Sequence, residues 1–414
     1  MRESALQQIA GHAARDGRKL KIVHIITRLL RAGSEENTVS TCVGHARLGH
    51  DVWLFHGDNF DSRHYGQIGS EVHLECIPEM VHPISPVKDL HAIRRMAQRL
   101  KEIAPDIVHT HQSKAGIVGR LAARRAKVPC IIHGVHIAPF VNVSPLKSYV
   151  YELAERLVTR HTDAFIAVSE GMRQEYLNRG IGDPGSFHVV HSGMRLEQFT
   201  DAEWPSDWRE LIGVGDKQER PPIVLMLAAF EPRKRHCELI AAFQEVVNRF
   251  PEARLLFAGE GTVREKAEAV VRAVSLEKNV RFVGFHTSPG KLVALADICV
   301  LTSKREGLPR VVIQYLAGGK PVVVTHVPGI EEIVSDGESG VICCTDSFAE
   351  VSEALVRLLS DSDLYSRLQS GAKATDLSSW SESSLVNRTA DVYFEAFSTQ
   401  SANEERLPSR EKEV

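Results

Sequence analysis

No Cys-x-x-Cys pair and no Cys/His spacing typical of zinc occurs in this chain. Its seven cysteines (Cys42, Cys76, Cys130, Cys237, Cys299, Cys343 and Cys344) therefore do not read as a metal framework. Several sit in apolar runs, as small buried hydrophobes of a reducing cytosol would. No run of about 18 apolar residues exists, which excludes a bilayer-spanning helix. The first residues, MRESALQQIAGHAARDGRKL, lack an apolar h-region, so no signal peptide is expected. Neither charge sign dominates: 50 Lys and Arg stand against 53 Asp and Glu, a net charge of -3. Such a chain has no general field for nucleic acid. Compositional bias is missing too, with 43% hydrophobic, 25% charged and 6% aromatic residues, which excludes disorder, collagen and coiled coil. G-x-G-x-x-G is absent, which disfavours an NAD(P) dehydrogenase. No Asp-x-Asp sits at a strand end, so neither a metal nor another cofactor is expected.

What is present is alternation. Over 414 residues, short apolar runs exchange with helix-period segments. KIVHII from Lys21, DVWLFHG from Asp51, DIVHTH from Asp106, CIIHGVH from Cys130, AFIAVS from Ala164 and FHVVHSG from Phe187 read as parallel strands buried on both faces. The pattern resets at a charged, Pro-containing stretch, Asp201 to Pro222, and a second series follows: IVLMLAAF, RLLFAGEG, VRFVGF, DICVLTS, PVVVTHV and GVICCT. The expected fold is α/β, two Rossmann-like doubly wound domains facing across a cleft. Residues 1–19 read as a flexible arm, 20–205 as the first domain, 206–222 as a linker and 223–380 as the second domain. Residues 381–399 read as a helix returning to the first domain, and 400–414 as a disordered tail.

Ligands of open α/β sheets bind at the carboxyl ends of strands. Four segments with chemistry fall there. Gly33 and Glu35 follow the first strand in RAGSEENT, at a helix start able to bind phosphate or acceptor oxygens. His109, His111, Ser113 and Lys114 end one strand, and His133 and His136 end the next. Arg120, Arg124, Arg125 and Lys127 read as a solvated helix face. In SKREGLPRVVIQYLAGGKPVV, Glu306, Gly307 and Leu308 turn into a helix with Pro309 as its first residue. The amides of Gly307, Leu308 and Arg310 are expected to face an anion or sugar hydroxyls. Gln314 lies about two turns beyond Glu306.

From about Lys21 to Phe397 the chain resembles the retaining family-4 glycosyltransferases of GT-B architecture, the bacterial polysaccharide and lipopolysaccharide type. The resemblance is carried by the order of RAGSEENT, RLGHDV, DIVHTHQSKAGIVGR, GVH ending at His136, TDAFIAVSE, FEPRKRH, LLFAGEG, REGLPRVVIQYLAGGKPVV and VPGIEEIVSDGESG. It implies a nucleotide-diphosphate sugar held mainly by the second domain and a glycan or lipid-linked acceptor on the first. Lys234 matches the family lysine that neutralises the diphosphate. Glu306 matches the first of two glutamates and would contact donor sugar hydroxyls, beside Gly307, Leu308 and Pro309. His136 matches the histidine near the donor sugar, and Gly33 belongs to a loop near the diphosphate. Two positions depart from the pattern. The second glutamate is Gln314, and the arginine usually found before the lysine is Ala229, with Arg233 or Arg235 as possible replacements. These departures motivate an alternative, a catalytically silent partner in a glycan-assembly complex. A sugar-nucleotide epimerase is a third reading.

The resemblance implies transfer on one face of the sugar, without a protein nucleophile. It also implies a cytoplasmic enzyme that could be peripheral at the inner face of the plasma membrane. Ile137, Phe140, Val141, Val143 and Leu146, with Lys147, Tyr149 and Tyr151, read as a candidate docking segment. Arg94, Arg95, Arg99 and Lys101 could add attraction to anionic lipid.

Overall fold

The computed structural model describes residues 18–30, 33–62, 66, 68–141, 143–216 and 218–406. The expected arm, 1–19, falls almost wholly outside them. The chain divides into two compact units, residues 1–194 with 378–414, and residues 195–377.

The first unit is built on a seven-stranded sheet. Its strands are β1 (Lys21–Ile26), β2 (Asp51–His56), β3 (His73–Cys76), β4 (Ile107–His111), β5 (Cys130–Val135), β6 (Ala164–Ala167) and β7 (Phe187–Val189). Their order is β3-β2-β1-β4-β5-β6-β7, every pair parallel. Strands buried on both faces need apolar residues on both, which explains runs such as Ile22, Val23, Ile25 and Ile26 at 0% exposure. Val23, Ile25 and Val108 pack under the helices Pro86–Ile103 and Ser113–Ala126. Ile22, Ile107, Cys130 and Ile132 pack on the other side under Leu385, Val392, Tyr393 and Phe397 of the helix Glu382–Arg406.

The second unit has six strands: β8 (Ile223–Leu227), β9 (Arg254–Ala258), β10 (Val280–Gly284), β11 (Ile298–Leu301), β12 (Val322–Thr325) and β13 (Gly340–Cys343). Their order is β10-β9-β8-β11-β12-β13, again all parallel. Both sheets reverse direction once, between β1 and β4 and between β8 and β11. A crevice opens at the carboxyl end of such a reversal, and it is where ligands bind.

Three segments differ from expectation. Residues 206–222 are not a linker outside both units but part of the second. Ile212 is 0% exposed in the short helix Trp208–Ile212, and Arg220 pairs with Asp297 at 2.9 Å. Their charged composition hid these anchors. The helix Glu382–Arg406 extends past residue 400 into the expected tail; residues 407–414 lie outside the described set. Arg120 is no solvated residue: it is 0% exposed and pairs with buried Glu155 of the helix Pro145–Thr159 at 2.5 Å.

Candidate functional site

In the second unit, two loops at the reversal point are tied together. The turn Pro232–Lys234 follows β8, and the segment Thr302–Pro309 follows β11. Thr302 Oγ1 donates to the Lys234 carbonyl at 3.0 Å, and the Lys304 amide donates to the Arg233 carbonyl at 2.8 Å. The loop after β8 also leans on the glycines of LLFAGEG. A Cβ on Gly259 would lie 2.1 Å from the Ala228 carbonyl oxygen, and both Gly259 (φ 149°) and Gly261 (φ 153°) adopt backbone shapes that suit glycine.

This scaffold brings Lys234, Arg233 and Glu306 into one cluster. Arg233 Nη1 donates to Glu306 Oε2 at 2.8 Å, and the Lys234 ammonium pairs with Glu306 Oε1. Arg233 Nε also reaches Glu231 at 2.7 Å. Burial pushes the Glu306 carboxyl up, but the charges of Lys234 and then Arg233 outweigh it and hold the group below the ordinary value. His236, two residues after Lys234, is buried beneath the Phe230 ring, and burial beside Lys234 lowers it to about 4. Of the two candidates for the missing arginine, Arg233 supplies the second cation here. Arg235 points elsewhere, onto the Thr345 carbonyl, Asp346 at 3.0 Å and the face of Phe348. Ala229 is exposed in the same loop.

The helix after this segment is Arg310–Ala317, with Pro309 as its cap rather than its first residue. The Arg310 amide is not turned to a ligand as expected; it donates to the Leu308 carbonyl at 2.8 Å. Gly307, Leu308 and Pro309 are buried beside Glu306, and Gln314 is half-buried one turn into the helix.

The first unit carries a second group of polar side chains. Gly33 opens the helix Gly33–Arg47. Ser34 Oγ donates to Glu35 Oε2 at 2.6 Å, and Gln112 Nε2 donates to Ser34 Oγ at 2.9 Å. Glu35 is 1% exposed, and its Oε1 has no hydrogen-bond partner among the described residues. Gln112, which sequence reasoning missed, stands between β4 and Ser113 with φ 64° and ψ 171°. That region is almost confined to glycine, and a residue held there stores strain of about 1–3 kcal/mol. No sequence signal marks it.

Four expected ligand contacts take other positions. Lys114 is committed to Asp89 at 2.6 Å and to the Pro83 carbonyl, tying its helix to Pro86–Ile103. His109 and His111 are 3% and 1% exposed. Two-residue spacing puts both on the sheet face covered by Glu382–Arg406, where His109 Nδ1 meets the Tyr393 hydroxyl at 2.6 Å. His133, three residues from His136, is on the opposite face and meets Thr110 Oγ1 at 3.0 Å. His136 itself stands just past β5, its Nε2 3.0 Å from His111 Nδ1. Among the described residues, His24, His109 and His111 bring ligand atoms within 4.8 Å of one another, the one such trio that could hold a metal ion. Both nitrogens of His111 already make imidazole–imidazole hydrogen bonds, which an ion would have to break.

The apolar surface also differs from expectation. Phe140 is buried, between Tyr176 and the Arg179 guanidinium. Of the expected segment, Leu146 (74%) and Tyr149 (64%) are exposed, and Val150 (48%), Leu153 (46%) and Leu157 (55%) join them on the helix Pro145–Thr159. Two of the four residues of the expected basic helix face are paired, Arg99 with Glu75 at 2.8 Å and Arg95 with Glu79 at 3.3 Å. No helix among the described residues is long and apolar enough to cross a membrane.

Two family models match the chain in succession: "Glycosyl transferase 4-like domain" over residues 32–193 and "Glycosyl transferases group 1" over residues 209–375. EpsD of Bacillus subtilis is 28% identical over 352 residues, 80% of this chain and 90% of that one. An Escherichia coli UDP-Gal:alpha-D-GlcNAc-diphosphoundecaprenol alpha-1,3-galactosyltransferase is 27% identical over 289 residues, 69% of this chain and 74% of that one. Among solved structures, HepE of Anabaena in complex with UDP and glucose shares the fold with a TM-score of 0.76 and 19% identity, over 91% of this chain and 100% of that one. With one matched model on each unit, the chain belongs to the family-4 glycosyltransferases of GT-B fold, enzymes that draw on nucleotide sugars.

Proposed function

We propose that this enzyme transfers a sugar from a nucleotide-diphosphate donor, with retention of configuration, to a lipid-linked glycan in cell-surface polysaccharide or lipopolysaccharide synthesis. The observation that carries the reading is the Lys234–Arg233–Glu306 cluster at the reversal point of the second sheet. When the bond between C1 and the diphosphate oxygen breaks, negative charge grows on the leaving group. A fixed ammonium and guanidinium stabilise that charge without reorganisation. Glu306, kept ionised by the same cations, is an acceptor for donor sugar hydroxyls. The acceptor oxygen bonds to C1 on the face the diphosphate leaves, and its proton passes to a phosphate oxygen. No protein nucleophile is required. Ser34, Glu35 and Gln112 are proposed to receive the acceptor hydroxyls, with Gly33 close to the diphosphate. The intact cation pair argues against the catalytically silent alternative.

A lipid-linked acceptor is supported by the named substrate of the Escherichia coli relative and by the helix Pro145–Thr159. At 100° per residue its five exposed apolar side chains fall within about a third of the circumference. Lys147 and Arg156 flank the stripe and Arg160 follows its last turn, all three exposed, whereas Glu152 pairs with Arg179 and Arg156, and Glu155 with Arg120. An apolar stripe with exposed basic side chains beside it and its two glutamates both paired suits an anionic lipid surface.

Thermal-shift and turnover measurements with UDP-, GDP- and ADP-sugars test the donor, and the anomeric configuration of the product tests retention. Absence of stabilisation by every nucleotide sugar would end the donor reading. Flotation with anionic liposomes at low salt, lost in Leu146→Glu/Leu153→Glu, tests the docking face.

A further inference from the structure

The helix Pro86–Ile103 carries apolar side chains on two sides. Its core face is Ala92, Met96, Ala97, Leu100 and Ile103. In its first turns, Val87 and Leu90 are 69% and 47% exposed, and Ile84, just before the helix, is 69% exposed. Val87, Leu90 and Arg94 recur at i, i+3 and i+7, one stripe of the helix surface. Arg94 is exposed, as are Lys88 and His91. The one acidic group of the first turn, Asp89, is taken up by the Lys114 ammonium at 2.6 Å. A contiguous exposed apolar patch rimmed by polar groups marks a surface that meets something else.

The patch stands at the ligand end of the first sheet. Helices Gly33–Arg47, Pro86–Ile103 and Ser113–Ala126 follow β1, β3 and β4, so all three begin at the carboxyl ends of parallel strands. Hydrogen bonds join the three starts. Gln112 Nε2 donates to Ser34 Oγ at 2.9 Å. Two residues on, the Lys114 ammonium pairs with the Pro83 carbonyl and with Asp89, which bracket Ile84 and Val87. Thr27 Oγ1 accepts from the Ala115 amide at 3.0 Å, so the next residue, Arg28, leaves β1 at the start of the same helix. Burial, then the charges of Arg28 and Lys114, lowers His82 below the ordinary imidazole value, which sets both cations near that ring. Arg28 is half-buried, and its Nε has no hydrogen-bond partner among the described residues. Along this end of the unit, the hydroxyl-binding groups Ser34, Glu35 and Gln112 are thus followed by the cations Arg28 and Lys114, and these by the apolar Ile84, Val87 and Leu90. A glycan joined to a lipid through a phosphoryl group has the same order: hydroxyls, anionic oxygens, hydrocarbon. A guanidinium matches phosphoryl oxygens in charge and geometry. Three apolar side chains are far fewer than the roughly 20–30 residues a side of a stable protein interface, which favours a slender occupant over a second copy of the chain.

We propose that Arg28, with Lys114, binds the phosphoryl link of a lipid-linked acceptor, and that Ile84, Val87 and Leu90 hold the first part of its hydrocarbon chain. The inference rests on the reading above that Ser34, Glu35 and Gln112 receive the acceptor hydroxyls. It places the acceptor's own lipid on a different helix from the bilayer-facing stripe of Pro145–Thr159.

The test is calorimetric binding of farnesyl diphosphate to the full chain, with inorganic diphosphate and farnesol as its two halves, beside flotation with phosphatidylglycerol vesicles. Farnesyl diphosphate should bind, and each half should bind weaker by about tenfold or more. Ile84→Asp/Val87→Asp should weaken farnesyl diphosphate about tenfold, and Arg28→Gln by a similar factor. Both apolar positions are exposed, so the double variant should keep the wild-type Tm. If Arg28→Gln does not fold, the double variant decides. No binding of farnesyl diphosphate, equal binding by the folded variants, or inorganic diphosphate binding as tightly would each overturn the proposal. So would vesicle flotation lost in Ile84→Asp/Val87→Asp while farnesyl diphosphate stays unbound, which assigns the patch to a bilayer. A dimer that the same variant dissolves would assign it to a second copy and overturn the proposal too. Failure of the wild type to turn over UDP-glucose would count against the transferase reading, whereas farnesyl diphosphate binding still judges this surface.

Discussion

Arg233 Nη1 donates to Glu306 Oε2 at 2.8 Å, joining a turn after β8 to a loop after β11. The pair restores a positive charge that the sequence pattern loses at Ala229. It does so from a position one residue before Lys234 instead of several.

Replacing cations of this cluster should cost activity in proportion to their nearness to Glu306. Lys234→Ala should lower kcat/KM by on the order of a hundredfold, and Arg233→Ala by about tenfold, while Arg235→Ala should leave it nearly unchanged. Steady-state kinetics decide; a near-normal rate for Lys234→Ala would remove it from the site.

Gln314 can make hydrogen bonds but has no charge. Gln314→Glu, which restores the family's second glutamate, should tighten nucleotide binding by about 1–2 kcal/mol. Calorimetry with UDP measures it. Weaker or unchanged binding would separate Gln314 from the nucleotide.

The strained backbone at Gln112 gives an opposed pair of effects. Gln112→Gly relieves the φ 64°, ψ 171° conformation and should raise stability by about 1 kcal/mol. It also removes the hydrogen bond to Ser34, so turnover should fall. A denaturant midpoint and a rate, measured on the same variant, check both. A stabler enzyme with full activity would show the strain to be structural only.

Acid should unfold the protein early. His45 is lowered from 6.5 to about 3 and His236 to about 4, in each case chiefly by burial. The folded state holds these rings uncharged, while the unfolded chain takes up protons below 6.5. Their stabilising contribution is complete above that pH and is lost as pH falls toward 4 and then 3. One unit below 6.5, each such histidine costs about 1 kcal/mol. Tm recorded from pH 7.5 to 4.5 should drop steeply below 6.5, and less steeply in His236→Leu. A flat profile would contradict the buried, uncharged state.

The two sheets and most strand positions were legible from apolar runs such as KIVHII and DICVLTS, because a parallel strand covered on both faces has no room for alternation. Local motifs marked Lys234 and Glu306 at strand ends, and the structure brings these two together. His109 and Lys114 were misplaced for one reason. A strand-end position tells how far along the sheet a residue stands, but not which neighbour covers it. Tyr393 and Asp89 come from remote segments and claim those side chains first. The period of two in His109/His111 and Gly134/His136 was a signal for the imidazole–imidazole hydrogen bonds of His111. Only the register of β1 against β4 and of β4 against β5 turns it into contacts.

Local pattern, then, was enough for the architecture, the reversal points and the cationic turn before the helix at His236. These depend on interactions within a few residues and on the burial of whole strands. Tertiary packing alone chose Arg233 over Arg235 as Glu306's second partner, put 206–222 inside the second unit, and lined up His24, His111 and His136. Each of those depends on which distant backbone lies within hydrogen-bonding reach, a quantity that the order of residues along one segment does not contain.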